Sequence, residues 1–254
     1  MKDKEYRVEI LGCPVDNLTM EETLSIIEEM IASGKPHQNV GVNVAKLLQI
    51  RSDPKLKRIV SSCDIINVDG MPIIWASRLL GHKLKERVAG IDLMQRLIGE
   101  AKKKGHRLYF LGAEENVVRS IVEKYKKDYP HIQIVGYRNG YWSRDEEQKV
   151  VEAIKNSKPD ILFVAISSPK TEIFLEKYLE DLGVPIVMGV GGSFDVIAGK
   201  IKRAPLWAQK TGWEWFFRLI QEPRRMWKRY LIGNTIFIGI VIKEFVKYLF
   251  KGLR

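Results

Sequence analysis

The stretch ILFVAI, residues 161–166, decides the fold class. Six consecutive apolar residues, three of them β-branched, are typical of a strand whose two faces are both buried. The run ends at Ser167, and residues 170–182 then show helical spacing of apolar side chains. A buried strand followed by a helix indicates a parallel sheet, because the crossover connections of such sheets place helices on both faces.

Short apolar runs and amphipathic helical segments alternate on both sides of this strand. The other predicted strands are 8–11, 40–44, 64–68, 107–111, 132–136 and 186–190. The predicted helices are 20–32, 54–61, 72–80, 91–104, 115–127, 145–156, 170–182 and a short one after Gly192. This order predicts an α/β fold with a mostly parallel sheet and helices on both faces. Such sheets bind ligands outside the carboxyl ends of their strands, so the strand-to-helix turns are the places to search.

The pattern changes after about Gly199, where strand signals stop. Residues 199–254 hold 13 Lys and Arg against 3 Asp and Glu, whereas residues 1–198 hold 29 against 28. Four of the six tryptophans also lie there: Trp207, Trp213, Trp215 and Trp227. We therefore predict two parts, an α/β core of residues 1–198 and a basic helical appendage of residues 199–254, called the C-terminal segment below. Gly212, Pro223 and Gly233 are its predicted helix breaks.

A basic, Trp-rich helical segment is typical of a surface that binds anionic lipid. Nucleic acid is the other partner that basic charge indicates, but no nucleic-acid motif accompanies it. The apolar run 231–242 has 12 residues, fewer than the about 20 that a spanning helix needs. The last predicted helix, 236–253, spaces Lys243, Lys247 and Lys251 at i, i+4 and i+8. An interfacial helix and an ordinary surface helix both fit that spacing.

Composition also predicts the compartment and the absence of a metal site. Cys13 and Cys63 are far apart and have no CxxC partner, which favours a reducing compartment over disulfides or zinc. The charged N-terminus has no apolar stretch typical of a signal peptide, so we expect the protein to stay in the cytosol. No histidine has a second histidine or a cysteine at i+3 or i+4, and there is no DxD pair. We therefore expect no metal and no cofactor, with Arg, Lys or backbone N–H groups holding any phosphate.

Asp69, in the turn Asn67-Val-Asp-Gly-Met-Pro72, is the first candidate for chemistry. One interpretation is that Asp69 caps the following helix, with Pro72 at its first position. The other is a carboxylate at the ligand edge of the sheet that takes a proton from an attacking hydroxyl.

Paired glycines in GVGGSFD, residues 189–195, form a second candidate turn. Gly191 and Gly192 would let the backbone approach a phosphate at a helix start, although tight turns also use glycine for steric reasons. Gly112 is a weaker signal of the same kind. The G-x-G-x-x-G dinucleotide spacing is not met, which argues against an oxidoreductase or epimerase.

Three further polar residues occupy similar turns, each with two interpretations. Asn43 either bonds a sugar or base, or caps the next helix. Arg87 pairs either with a phosphate or with Glu86 or Asp92. In the turn Ser167-Ser-Pro-Lys170, Lys170 either lies beside a diphosphate or simply begins a helix.

The C-terminal segment carries a cluster of cations in TGWEWFFRLIQEPRRMWKRY, residues 211–230. They are Arg218, Arg224, Arg225, Lys228 and Arg229. In an unbroken helix Arg218, Arg225 and Arg229 would share one face, but Pro223 predicts a break. The cluster is either aimed at one anion or a solvated basic face.

These motifs occur in a recognisable order: Asn43 in its turn, NVDG (67–70), ERVAGIDL (86–93), YFLGA (109–113), GYRNGYW (136–142), SSPK (167–170), GVGGSFD (189–195), KRAP (202–205) and EWFFRLIQEPRRMWKRY (214–230). The ordered set resembles the WecG/TagA/CpsF glycosyltransferase family from about residue 7 to residue 235. The resemblance implies a Rossmann-like, metal-independent transferase and a C-terminal appendage that docks on the membrane and helps complete the site.

The resemblance also implies substrates and roles. The donor would be a UDP-sugar such as UDP-N-acetylmannosamine or its uronic acid, and the acceptor undecaprenyl-diphosphate-linked N-acetylglucosamine. Asp69 matches the proposed base and Arg87 the arginine of the R-x-x-G motif. The positions assigned to the nucleotide and donor are Asn43, Gly112, Tyr141, Pro169, Lys170, Gly191, Gly192 and Asp195. Those assigned to the acceptor diphosphate and the membrane are Arg203, Arg218, Arg224, Arg225, Lys228 and Arg229.

Four positions depart from the family pattern. Gly41 and Ala89 replace threonines, a serine replaces the glycine that begins the motif Ser167-Ser168-Pro169, and Thr171 replaces a glutamine. Lost polar contacts in the pocket would change which sugar fits, or weaken the activity.

The resulting hypothesis is an inverting transfer, in which Asp69 deprotonates the acceptor sugar's 4-hydroxyl for attack on the donor's anomeric carbon. It places the enzyme peripherally on the inner face of the cell membrane, in cell-wall polymer or surface polysaccharide synthesis. The alternatives are a non-catalytic membrane-bound scaffold of a glycan-assembly complex and another nucleotide-dependent α/β enzyme. The sequence leaves open the donor sugar, the linkage and the oligomeric state, a homo-oligomer included.

Overall fold

A computed structural model describes residues 5–251, apart from the side chain of Lys251. The strands are β1 (Arg7–Ile10), β2 (Cys13–Asp16), β3 (His37–Val42), β4 (Ile65–Val68), β5 (Leu108–Gly112), β6 (Ile134–Arg138), β7 (Ile161–Ala165) and β8 (Ile186–Gly189). The α-helices are α1 (Met20–Ser33), α2 (Val44–Ser52), α3 (Pro54–Ser62), α4 (Met71–Leu79), α5 (Gly90–Lys104), α6 (Glu115–Asp128), α7 (Glu147–Ser157), α8 (Lys170–Leu182), α9 (Ser193–Ile197), α10 (Leu206–Lys210), α11 (Glu214–Gln221), α12 (Pro223–Trp227) and α13 (Gly233–Lys251). A 3₁₀ turn covers Arg144–Glu146 and a π-helical turn covers Lys228–Ile232. The predicted end of the last helix at residue 253 lies outside the described residues.

Six strands form one parallel sheet in the order β4-β3-β8-β7-β5-β6. Every residue of β7 is buried, as its unbroken apolar run predicts. The chain steps outward from β3 to β4 on one side and from β5 to β6 on the other. The expected Rossmann-like, mostly parallel sheet is confirmed.

Helices cover both faces of the sheet, and the residues of β5 show why. Leu108 and Phe110 pack into a cluster with α1, α5 and α6, whereas Tyr109 and Leu111 pack into another with α7 and α8. Successive side chains of a strand point to opposite faces, so a strand with apolar residues at every position supports two layers of helices. The Phe110 ring lies 5.6 Å from that of Phe163, near the centre of the first cluster.

The predicted strand 8–11 forms outside the sheet. It is β1, and it pairs antiparallel with β2, which the sequence pattern did not predict. Leu11 and Gly12 reverse the chain between them with φ of 53° and 78°. The Asp16 carboxylate then accepts a hydrogen bond from the Ile66 N–H at 2.8 Å, which fastens the hairpin to β4.

Helix α2 was also missed by the prediction. Its sequence, VAKLLQIRS, follows β3 after the single residue Asn43, so Val44 resembles a strand residue. Leu47 and Ile50 are buried against the sheet. Tertiary packing of these two side chains stabilises a helix that is short and weakly patterned by itself.

The C-terminal segment is helical, as predicted, but its breaks differ. Gly212, with φ of 70°, separates α10 from α11, and Pro223 begins α12. Gly233 was predicted to interrupt the helical structure, and this prediction is wrong because its φ of −61° and ψ of −46° are helical. Phe237 and Val241 of α13 pack into the core beside α2 and α4. Within residues 5–251, no helix combines the length and apolarity needed to cross a membrane.

Candidate active site

The carboxyl ends of the strands open onto a large cleft. It has a volume of about 1430 Å³ and is closed on its other side by the C-terminal segment. The turns after β3, β4, β7 and β8 contribute Asn43, Asp69, Lys170 and Gly192 to its lining. The cleft therefore occupies the edge where parallel α/β sheets bind ligands.

Asp69 follows β4 directly, and its side chain lines the cleft. Its backbone N–H donates to the Val42 carbonyl at 2.8 Å, and its carboxylate accepts a hydrogen bond from the Gly90 N–H. The cap residue of α4 is Gly70, and no side chain caps that helix. The interpretation of Asp69 as a helix cap is therefore wrong, and its carboxylate is available to the cleft.

The surroundings of Asp69 make its carboxylate basic enough to accept a proton near neutral pH. Burial raises the pKa of Asp69 to about 6. The Arg87 guanidinium opposes this increase, the Glu214 carboxylate adds to it, and the Gly90 N–H and the Lys46 ammonium lower the pKa again. A general base works best when its pKa lies near the operating pH, so this carboxylate is suited to proton abstraction.

Arg87 pairs mainly with a partner distant in sequence. Its Nη1 lies 2.9 Å from Glu214 Oε2 in α11, and its Nη2 lies 3.9 Å from Asp92 Oδ2. Glu86 does not pair with it and instead accepts a hydrogen bond from the Met20 N–H. Of the two neighbours considered from the sequence, only Asp92 is close, and the C-terminal segment supplies the shorter contact.

Asn43 caps α2 and lines the cleft at the same time. Its Oδ1 accepts a hydrogen bond from the Lys46 N–H at 3.1 Å, and Arg229 Nη2 lies 3.5 Å from the same oxygen. The capping interpretation is confirmed. Because the first turn of α2 faces the cleft, the cap also brings Asn43 near the cations of the C-terminal segment.

Gly191 and Gly192 form the tight turn between β8 and α9, and both line the cleft. Gly191 has a φ of 50°, which few other residues adopt. A Cβ at Gly192 would lie 2.9 Å from Arg218 Nη2, so glycine is needed for the guanidinium to approach the turn. Asp195, in α9, lines the same part of the cleft.

The other residues assigned to the donor divide into two groups. Tyr141 and Lys170 line the cleft, and Tyr141 is 71% exposed. Gly112 and Pro169 do not line it. A Cβ at Gly112 would lie 2.4 Å from the Ala165 carbonyl oxygen, and its φ is 126°. Glycine at this position therefore permits close packing between the ends of β5 and β7.

Arginines of the C-terminal segment gather around one carboxylate beside the cleft. Arg218 Nε and Arg225 Nη1 each lie 2.7 Å from an oxygen of Glu222. Although burial raises the pKa of Glu222, Arg225 and Arg218 hold it below its ordinary value. The other assigned cations that line the cleft are Arg203, Lys228 and Arg229. Arg224 is exposed and does not line it, so the structure brings together five of the six assigned cations.

A buried ion pair at the cleft was missed by the sequence analysis. Lys46 Nζ lies 2.5 Å from Glu172 Oε1, and their side chains are 12% and 2% exposed. Lys46 lines the cleft, and the second oxygen of Glu172 is buried without a hydrogen-bond partner. The two residues lie in the first turns of separate helices, α2 and α8, and are 126 positions apart. Each residue follows a strand-to-helix turn, which could have marked it as a candidate for the cleft. No spacing in the sequence predicts that the two residues form a pair.

Candidate metal ligands do not gather in the described part of the chain. Within residues 5–251, no three His, Cys, Asp or Glu side chains are placed to hold a metal ion. Cys13 and Cys63 are free and buried, and burial raises the pKa of both thiols to about 12. Both thiols are therefore protonated at neutral pH and unreactive as nucleophiles.

Comparison with known proteins identifies the family of this chain. Residues 8–250 match the sequence profile of the glycosyl transferase WecG/TagA/CpsF family. The chain belongs to this family. The match includes the turns that form the cleft and almost all of the C-terminal segment, so both parts are features of this glycosyltransferase.

Two curated relatives from Bacillus share about two fifths of the aligned residues. One, from Bacillus spizizenii, is 38% identical over 192 residues, which cover 76% of this chain and 73% of the relative. Another, from Bacillus subtilis, is 39% identical over 173 residues, which cover 68% of this chain and 66% of the relative. Both are named N-acetylglucosaminyldiphosphoundecaprenol N-acetyl-beta-D-mannosaminyltransferase. The present chain is likewise a glycosyltransferase.

Proposed function

We propose that this glycosyltransferase moves N-acetylmannosamine from a UDP-sugar to undecaprenyl-diphosphate-linked N-acetylglucosamine. The observation that carries the proposal is Asp69, a carboxylate with a raised pKa at the ligand edge of the sheet, in a cleft that cations of the C-terminal segment also line. The names of both relatives support the acceptor and the transferred sugar.

In the proposed reaction, Asp69 accepts the proton of an acceptor hydroxyl as its oxygen attacks the anomeric carbon of the donor. The bond from that carbon to the diphosphate oxygen breaks, UDP leaves with the electron pair, and the configuration inverts. The two substrates approach from opposite sides, which fits a cleft bounded by the sheet turns and by the C-terminal segment.

Cations already in place would stabilise the charge that develops on the leaving diphosphate. Lys170, Lys228 and Arg229 line the cleft, and none pairs with a carboxylate within the described residues. Arg218 and Arg225 share a single carboxylate between them, so their pair retains a net positive charge. Preorganised donors of this kind act without reorganisation at the moment of bond cleavage.

Incubation of the protein with a panel of UDP-sugars and a lipid-diphosphate-linked N-acetylglucosamine acceptor tests the proposal. We expect mass spectrometry to find an acceptor extended by one N-acetylhexosamine, with UDP-N-acetylmannosamine as the preferred donor. An extension from a different donor would correct the sugar. No extension from any donor, with the protein folded and both substrates intact, would refute the transferase proposal.

We further propose that the C-terminal segment holds the enzyme on the inner face of the membrane. Among the described residues, 15 of the 20 exposed large hydrophobic side chains lie in this segment. They include Ile238 and Ile242 of α13, whose lysines Lys243 and Lys247 are also exposed. Exposed apolar and cationic side chains on one helix favour the boundary between acyl chains and anionic headgroups.

Replacing Lys243 and Lys247 with glutamine is expected to weaken binding to anionic vesicles about 30-fold, because each lysine near such a surface contributes about 1 kcal/mol. Sedimentation with phosphatidylglycerol vesicles measures the change. The matched control replaces Lys126 and Lys127, two exposed lysines of α6 in the core, and should bind like the wild type. Equal weakening by both pairs would show that net charge, and not this helix, drives binding. Point substitutions are preferable to truncation, because Phe237 and Val241 form part of the core.

A further inference from the structure

Four charged side chains link the C-terminal segment to the core beside Asp69. Glu214 Oε2 lies 2.9 Å from Arg87 Nη1, Arg87 Nη2 lies 3.9 Å from Asp92 Oδ2, and Asp92 Oδ1 lies 2.7 Å from Arg203 Nη2. Glu214 and Arg203 belong to the C-terminal segment, and the other two belong to the core. Positive and negative charges alternate in this series of contacts. Arg87 and Asp92, in the middle of the series, therefore each contact two residues of opposite charge.

Local packing fixes the position of Glu214, the first residue of α11. The Trp213 N–H donates to the Ala208 carbonyl at 2.8 Å, which closes the turn before the helix. A Cβ at Gly212 would lie 2.5 Å from the Trp75 ring, so this turn packs directly on α4 of the core. Glu214 is therefore presented to Arg87 by a turn that the core itself supports.

The contact of Glu214 with Arg87 is important because the Arg87 side chain is largely buried. The Arg87 side chain is 14% exposed, whereas those of Glu214 and Asp92 are 37% and 34% exposed. A mostly buried guanidinium needs a partner, and the 3.9 Å separation makes Asp92 a weak one. Glu214 is thus the residue that determines where the Arg87 guanidinium lies.

We propose that Glu214 is the positioning residue through which the C-terminal segment completes the active site, by holding the Arg87 guanidinium beside Asp69. This inference rests on the proposed function of Asp69 as the base. Arg87 keeps its remaining N–H donors for a substrate oxygen, while the carboxylate of Glu214 fixes its orientation. Docking of the C-terminal segment then prepares Arg87 for the reaction.

The charges around Asp69 give this role a measurable consequence. Asp69 faces Arg87 from the loop before α5, Lys46 from α2, Glu214 from α11 and Tyr230 from the π-helical turn. Removing the charge of Glu214 takes away a neighbour that raises the pKa of Asp69, and it also releases the Arg87 guanidinium, which lowers that pKa by more. Once Arg87 is displaced, the second effect is the larger one and the pKa of Asp69 rises, whereas an Arg87 that stayed in place would leave only the first effect and a lower pKa.

The Glu214→Gln variant of the full chain should therefore turn over more slowly, with the acid limb of its kcat profile shifted to higher pH. We expect kcat to fall about 10–100-fold, the equivalent of one hydrogen bond to a charged group. Glu214→Asp keeps the charge and should restore the position of the acid limb. Glu222→Gln is the matched control: it removes another arginine-paired carboxylate of the same segment, which is not among the charges that shift the pKa of Asp69, and should leave the limb in place.

Hydrogen exchange supplies a readout that does not depend on sugar transfer. In Glu214→Gln, amides of residues 83–90 should exchange faster than in the wild type, whereas Glu222→Gln should leave them protected. Unchanged exchange there, or an acid limb that stays in place or shifts to lower pH, would overturn the positioning role. A lower KM for the donor at unchanged kcat would instead show that Glu214 merely occupies the place of a substrate anion. If the wild type transfers no sugar, the proposed function is refuted. The exchange experiment would still test whether Glu214 holds Arg87 in place.

Discussion

Replacing Asp69 with asparagine is expected to lower kcat about 10²–10⁴-fold, the usual loss for a positioned general base. The amide has nearly the shape of the carboxylate, so it can occupy the same place at the end of β4, but it cannot accept the proton of the acceptor hydroxyl. Single-turnover kinetics with saturating donor and acceptor would measure the loss at the chemical step. The wild-type rate should rise with pH through about 6, the pKa of Asp69, because only the ionised form is a base.

The stability of the two proteins provides the control for this substitution. The pKa of Asp69 in the folded protein is above its ordinary value of 3.8. Folding is therefore favoured by the protonated carboxyl, and this contribution is present below pH 3.8 and lost as the pH rises through about 6. The Asp69→Asn variant should not lose stability in this way as the pH rises. At pH 7 it should therefore be at least as stable as the wild type. Turnover close to wild type by the folded variant would refute the role of Asp69.

Replacing Lys46 with methionine is expected to destabilise the protein by about 3–5 kcal/mol, because it leaves the Glu172 carboxylate buried without a countercharge. The Glu172 side chain is only 2% exposed, and one of its oxygens already lacks a hydrogen-bond partner. Neither oxygen would then have a protein donor. Urea unfolding followed by circular dichroism measures the change, provided that the m-value stays constant.

Two comparisons separate the buried pair from a general effect of losing a lysine. The double variant Lys46→Met with Glu172→Gln should recover most of the loss, because no unpaired charge remains. Lys177→Met removes a partner of Glu147 from a pair whose side chains are 58% and 28% exposed, and it should cost less than about 1 kcal/mol. Equal losses from Lys46→Met and Lys177→Met would mean that Glu172 finds water in the cleft.

Most of the fold could be predicted because buried positions in strands and helices recur at regular intervals as apolar residues in the sequence. The apolar run of β7 and the segments that alternate around it predict a parallel sheet between two helical layers, and the structure has one. Strand β1 was predicted, but its hairpin partner β2 was missed because its sequence CPVD contains a proline, which argues against a strand. Gly233 was misjudged because a glycine breaks a helix only where the backbone leaves helical angles.

The candidate site was predicted in part, and the misses have a common cause. Asp69, Asn43 and Gly192 could be located because each follows a strand, and the carboxyl ends of parallel strands meet at one edge. The partners of Lys46 and Arg87 could not be located, since Glu172 and Glu214 lie more than a hundred positions away. A contact between distant turns leaves no periodicity in either segment.

The sequence by itself determined the layers of this protein and the edge of the sheet where its cleft opens. It also determined the basic character of the segment that closes the cleft. These features could be predicted because the spacing of apolar residues and the distribution of charge are local properties of the chain. Only the tertiary structure decided that Asp69 faces the cleft rather than capping a helix. It alone also decided which carboxylates accompany Arg87 and Lys46. Those two pairings depend on how α8 and α11 are placed across the cleft, and packing of the whole core fixes that placement.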